Sequence, residues 1–129
     1  MIRLVGPLNS GGAVGGNGAA TAAATSTVEI RGFVAAVYVK YNDAPPAGTT
    51  DVTIATLGTS PNAPARTILA LANAATDGYF QPQVNVSNTA GAAQAAVWTA
   101  IPIADYVTVT IAQANAADNV DVWLLMADD

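Results

Sequence analysis

From residue 28 onward the chain alternates apolar and polar residues in a two-residue period, interrupted at intervals by turn-forming clusters. Val28-Glu29-Ile30-Arg31 alternates, Gly32 interrupts, and Phe33, Val37, Val39 and Tyr41 continue on one parity. Successive side chains of a strand point to opposite faces, so this is the signature of a half-buried β-strand, and the glycine marks a bulge or bend. Residues 42–48, with Pro45, Pro46 and Gly48, forbid continued pairing and read as a turn. Residues 50–57 resume the alternation, with Val52 and Ile54 opposite Asp51, Thr53 and Ala55.

Residues 66–73 fit either a two-turn helix, begun near Ser60-Pro61 and stopped at Gly78, or a strand. Every neighbouring segment is strand-like, so a strand is expected there too. Asp77-Gly78 is a turn signal, and residues 79–87 alternate around Val84 and Val86, with Pro82 marking an edge or a bulge. Residues 96–103 carry Val97, Trp98, Ile101 and Ile103. Two clean alternating runs close the chain. Val107, Val109 and Ile111 stand against Thr108 and Thr110; Val120, Val122, Leu124 and Met126 stand against Asp121 and Trp123. These two runs are expected to pair as an antiparallel hairpin.

About eight or nine short strands at this spacing predict an all-β protein, an antiparallel β-sandwich of jelly-roll-like form. The first 27 residues differ in texture. Residues 1–8 are a short apolar β-like segment, glycines follow at 11, 12, 15, 16 and 18, and residues 19–27 are Ala and Thr without a large apolar side chain. This reads as an extended Gly/Ala-rich N-terminal arm, dividing the chain into a strand and arm (1–27) and a sandwich domain (28–129).

Composition narrows the function. Of the 129 residues, 52% are hydrophobic but only 10% are charged, against roughly 25% in an ordinary soluble domain. A free surface normally carries more charge than this, so partners are expected to cover part of it. Net charge is −5, with Arg3, Arg31, Lys40 and Arg66 the four cations. Nucleic acid and anionic membrane are therefore disfavoured partners, since both are held by clustered Lys and Arg. Neither a conventional signal peptide nor an apolar run long enough for a membrane helix is expected.

The chain has no histidine and no cysteine. That removes the Ser-His and Cys-His pairs, the usual neutral-pH base and the usual zinc and copper ligands. The candidate carboxylates, Glu29, Asp43, Asp51, Asp77, Asp105, Asp118 and Asp121, sit mostly in turns, where Asp ordinarily bonds its own backbone. Asp118-Asn119-Val120-Asp121 offers oxygen atoms for calcium but lacks the length and glycine placement of a helix–loop–helix calcium loop. Gly11-Gly12-Ala13-Val14-Gly15-Gly16-Asn17-Gly18 lacks the Lys-Ser/Thr of a phosphate loop. No catalytic residue, cofactor or metal site is assigned, and the chain is expected not to be an enzyme. Tyr38, Tyr41, Tyr79, Trp98, Tyr106 and Trp123 remain as aromatic candidates for core, subunit contact or a sugar platform.

Two passages carry a family resemblance: Tyr38-Val39-Lys40-Tyr41-Asn42-Asp43 running into Ala44-Pro45-Pro46-Ala47-Gly48-Thr49-Thr50-Asp51, and Asp105 to Ile111 with Val122-Trp123-Leu124-Leu125. With the Ala/Thr-rich lead, the stretch 32–127 resembles small virion proteins of tailed bacteriophages, of the head-decoration or cement type. The resemblance implies a β-rich homo-oligomer, often a trimer, made in the host cytoplasm and placed on the capsid surface, where it packs against the major capsid protein. Independently, the composition suits a protein made to tile. The contact residues expected are Ile2, Leu4, Val5 and Leu8 in the N-terminal segment, and Tyr79, Phe80, Trp98 and Trp123 in the domain. A carbohydrate-binding or host-attachment module is the alternative.

Overall fold

The computed structural model describes residues 1–42, 46–58 and 64–127. These form ten strands and no helix: β1 (Ile2–Asn9), β2 (Ala20–Thr25), β3 (Ile30–Tyr41), β4 (Asp51–Thr56), β5 (Thr67–Leu71), β6 (Gly78–Phe80), β7 (Gln83–Ser87), β8 (Ala93–Asp105), β9 (Val107–Ala114) and β10 (Val120–Ala127). The segment 66–73 is strand, as its neighbours imply, and the 79–87 run breaks at Gln81-Pro82 into β6 and β7. Pro82 has no N–H to donate, which is reason enough for the break.

The strands make two antiparallel sheets. The larger runs β1-β10-β3-β8-β7, with β6 pairing the far half of β3; the smaller runs β2-β9-β4-β5. One apolar core joins them. Val34, Val37, Val39, Val120, Val122, Leu124 and Met126 from the larger sheet meet Val52, Ile54, Val107, Val109 and Ile111 from the smaller, all essentially without solvent exposure. The chain is therefore an all-β antiparallel sandwich, held by the alternating inward face of each strand.

Two expectations need correction. β9 and β10 do not pair with one another: β9 lies between β2 and β4, and β10 between β1 and β3, in the opposite sheet. Their alternation told which side chains face inward, and that part stands, but alternation carries no information about which strand is the neighbour. The N-terminal segment is also not an arm standing off the domain. β1 pairs β10 along its length, and β2 pairs β9 as an edge of the smaller sheet.

The glycine-rich stretch between them is tied down. Ser10 N–H donates to Val120 O at 3.0 Å, Ser10 Oγ accepts from Val120 N at 3.1 Å, Ala13 N–H donates to Asp118 O at 2.8 Å, and Gly18 N–H donates to Ala114 O at 2.9 Å. Ser10 and Ala13 are buried by these contacts.

Candidate functional site

Cross-strand partners in register share a face, so the pairing lists the composition of each outer surface. On the smaller sheet one outer row is Ala23–Thr110–Thr53–Ala70 and the next is Thr25–Thr108–Ala55–Thr67. Hydroxyls meet across it, with Thr25 Oγ1 3.0 Å from Thr108 Oγ1. This is the wet face of an ordinary antiparallel sheet.

The larger sheet is different. Its outer rows are Ile2–Ala127–Phe33–Pro102, then Leu4–Leu125–Ala36, then Trp123–Tyr38–Tyr79. Three consecutive rows without a charge form one apolar field. At one end it stops at Asn9–Asp121–Lys40. At the other it meets Arg31, whose Nη2 pairs with Glu29 Oε2 at 2.6 Å. An apolar centre with a polar margin is the anatomy of a protein–protein contact surface.

Within the field, Leu4, Tyr38, Tyr79 and Trp123 line an open hollow of about 320 Å³, almost entirely through apolar atoms. Leu4 is 65% and Tyr79 is 59% exposed. The Tyr38 and Trp123 rings lie 5.5 Å apart at 58°. Trp123 is seated by Gly6, which adopts φ +136°; a Cβ there would stand 2.7 Å from Val122 O and 3.1 Å from the indole Cδ1. Taking roughly 200 Å² per aromatic ring, the exposed apolar area of the field is on the order of 500 Å². That is the upper range for a patch left bare on a monomer, where the largest is typically about 300–600 Å².

Of the eight contact residues expected, Ile2, Leu4, Tyr79 and Trp123 are brought together on this face. Val5, Leu8 and Phe80 turn to the other side and pack half-buried against the core. Trp98 stands apart, 55% exposed, on the β7–β8 hairpin. Tyr38 and Phe33 belong to the field but were absent from the expected contact set; Tyr38 lies on the opposite parity to Val37 and Val39, whereas Phe33, expected on their face, is turned outward by the register shift between Val34 and Ala36.

The carboxylates serve the backbone. Asp105, 3% exposed, accepts from Gly58 N and Tyr106 N, each at 2.7 Å. Asp118, 7% exposed, accepts from Asn115 N at 3.0 Å and Ala47 N at 3.3 Å. Asp51 accepts from Asn73 N and from Gln113 Nε2, and Asp77 from Tyr41 N. Asp121 lies on the outer face instead, accepting from Asn9 Nδ2 at 2.8 Å and Asn42 Nδ2 at 2.9 Å. Asp118 and Asp121 thus serve different partners, and among the described residues no three acidic side chains converge on one point. Asp43 lies outside the described residues. An open cleft of about 440 Å³ between the β4–β5 connection and β8 contains Asp105 and Arg66, but the Asp105 carboxylate is already occupied with the two backbone amides.

Of the remaining aromatics, Tyr106 is half-buried where the chain crosses between sheets, and Tyr41 points into the core. The Tyr41 hydroxyl is buried without a hydrogen-bond partner. Burial, and secondarily the charge of Asp77, push its pKa up to about 12.

Comparison with protein-family models, curated proteins and solved structures finds no match to this chain.

Proposed function

We propose that this chain is a non-enzymatic structural subunit that works by packing its larger sheet against protein surface, as a homo-oligomer in a larger assembly. The specific reading is a bacteriophage head-decoration or cement protein, bound to the major capsid protein at the capsid surface. The observation that carries the packing role is the three-row apolar field on a sheet face that would otherwise be polar. The low charge of the chain supports it, because a surface poor in Lys and Glu is what assembly contacts select for. The particle itself is proposed on the sequence resemblance.

The strand orders β1-β10-β3-β8 and β2-β9-β4-β5, with β6 and β7 as an added excursion, support a jelly-roll-like wrapping of the sandwich. Such sandwiches serve both as capsid and as lectin domains, so the fold does not choose between the two readings. The surface does. A sugar needs hydrogen-bonding groups around its stacking ring, whereas the hollow at Leu4, Tyr38, Tyr79 and Trp123 is lined almost wholly by carbon. Its two facing rings are tilted at 58° rather than laid in one plane.

By mass action, burying this field favours the assembled state over free subunits. The test is to add the purified chain to phage heads stripped of their decoration. Rebinding with a gain in heat resistance is the expected result; a monomer that ignores the heads and is retained by immobilised glycans overturns the reading.

A further inference from the structure

A sheet edge carries unpaired backbone N–H and C=O groups, and folds ordinarily protect it with proline, charge, bulges or shortness. Most free edges of this sandwich are protected in these ways. β1 bulges at Gly6-Pro7, between Val5 and Leu8, and β5 bulges at Ile68. Pro82 separates the three-residue β6 from β7, and the free margin of β8 bulges around Ala96. β2 is the exception. Ala20–Thr25 carries no charge and no proline, and the register shift beside it lies in β9, where Gln113 takes φ +51°, so β2 itself runs unbulged.

Two contacts fix the direction of its backbone groups. Ser26 N–H donates to Val107 O at 2.8 Å, so the even-numbered residues bond β9. Thr21 instead exchanges both of its bonds with Val14, at 2.9 and 3.1 Å, so the odd-numbered residues face away from β9. Thr21 is thus already paired on its outer side. The next two outward residues, Ala23 and Thr25, find no backbone partner among the described residues.

We propose that β2 of one copy pairs antiparallel with β2 of a second copy, about a two-fold axis at Ala24. Ala23 then lies opposite the partner's Thr25, and Thr25 opposite the partner's Ala23. Each such pair exchanges two hydrogen bonds, so the ladder holds about four. The side chains are Ala and Thr, without bulk or charge to oppose the approach. On the same side of the sandwich, Pro7 and Leu8 of β1 enclose with Ala24 and Thr25 a hollow of about 210 Å³, which the abutting copy covers.

A foreign strand would bond the same groups, but the limits of the open stretch fit a copy. Beyond Ala23 the edge is taken by Val14, and beyond Thr25 the chain bends away at residues 27–28. A two-fold at Ala24 brings Thr21 of one chain opposite the partner's Thr27, so each chain turns aside where the other is already capped. The contact is isologous and closes on itself. It rests on the assembly reading above: so few bonds do not offset the freedom lost on association. The pairing therefore forms between copies that the larger sheet has gathered, where the effective concentration is high.

Ala24 meets its counterpart in a non-hydrogen-bonded pair, with Cα atoms about 4.5 Å apart, within reach of a disulfide. The chain has no cysteine of its own. Ala24→Cys and, as a control, Thr53→Cys on the interior strand β4 of the same sheet are mildly oxidised where light scattering shows association. The expected result is a linked pair that forms at least tenfold faster for Ala24→Cys. In the parent, amide hydrogen exchange at Ala23 and Thr25 should slow at least tenfold between dilute, dissociated chain and the associated state. A link no faster than that of Thr53→Cys, or exchange at these amides that association leaves unchanged, overturns the proposal. If that happens while Tyr79→Asp abolishes association, the edge pairing is wrong and the assembly reading stands. If Ala24→Cys links and the amides slow while Tyr79→Asp associates as the parent does, the edge pairing stands and the reading of the larger sheet falls.

Discussion

Trp123 and Tyr38 sit directly opposite one another on β10 and β3, ring centroids 5.5 Å apart, on the solvent side of the larger sheet. Tyr79 extends the row onto β6. A sandwich needs its inner faces for its own stability, so an aromatic row on an outer face contributes little to the fold and is available for another surface. Tyr79→Asp is therefore expected to leave thermal stability within about 0.5 kcal/mol of the parent, as an exposed substitution should, while self-association falls at least tenfold. Calorimetry and light scattering on the same samples check both halves.

Gly6 shapes this face from below. Its φ of +136° and the 2.7 Å approach of a hypothetical Cβ to Val122 O leave no room for a side chain. Gly6→Ala is expected to destabilise the domain by about 1–3 kcal/mol, the usual cost of a strained backbone position. Because the indole of Trp123 is the second neighbour, its near-ultraviolet circular dichroism should change as well. Chemical denaturation and that spectrum are the measurements.

The buried Tyr41 hydroxyl predicts an alkaline limit. Its folded pKa of about 12 lies above the ordinary value of 10.0, so the folded state holds the phenolic proton more tightly than the unfolded chain. The corresponding stability is fully present below pH 10 and is lost as the pH rises toward 12, amounting to about 2–3 kcal/mol. Tyr41→Phe removes this slope. It also removes an unsatisfied buried oxygen, so at pH 7 the variant should be as stable as the parent or up to about 1 kcal/mol more so. Urea titrations of both proteins at pH 7, 10 and 11.5 decide the matter.

Asp118 acts as a fastener between loops. Its carboxylate takes the amides of Asn115 and Ala47, while its own backbone carbonyl receives Ala13 N–H. Asp118→Ala is expected to cost about 1–2 kcal/mol by leaving two part-buried amides without their acceptor. Millimolar calcium should leave the melting temperature of the parent unchanged; a rise of several degrees would contradict the loop-fastening role.

Much of this fold is legible in the sequence, and the reason is periodicity. Val107, Val109 and Ile111 alternate with threonines, and Val120, Val122, Leu124 and Met126 with Asp121, Trp123 and Leu125; in each case the even spacing separates inner from outer side chains. Neighbour identity is not legible in this way. β9 and β10 are adjacent in sequence and lie in opposite sheets, because a sandwich is built from pairings made far along the chain.

The candidate surface suffers from the same blindness. Trp123 betrays itself by lying on the wrong parity for a core residue, but its company with Leu4, Tyr38 and Tyr79 depends on the register of β1, β10, β3 and β6 together. The N-terminal segment misleads for a different reason. Alanine-rich β2 has little side chain to show an alternation, yet Ala20 is fully buried and the strand pairs β9 through its backbone.

The most direct test compares the two outer faces. The mass of the purified chain is followed by light scattering over a wide concentration range, alongside Tyr79→Asp on the larger sheet and Thr110→Asp on the smaller. The account predicts that the parent and Thr110→Asp reach a common multiple of the 12.9 kDa chain mass, while Tyr79→Asp stays at one. A parent that remains at 12.9 kDa throughout, or a Tyr79→Asp variant that associates as the parent does, would contradict the claim that the aromatic face is where this protein meets its neighbours.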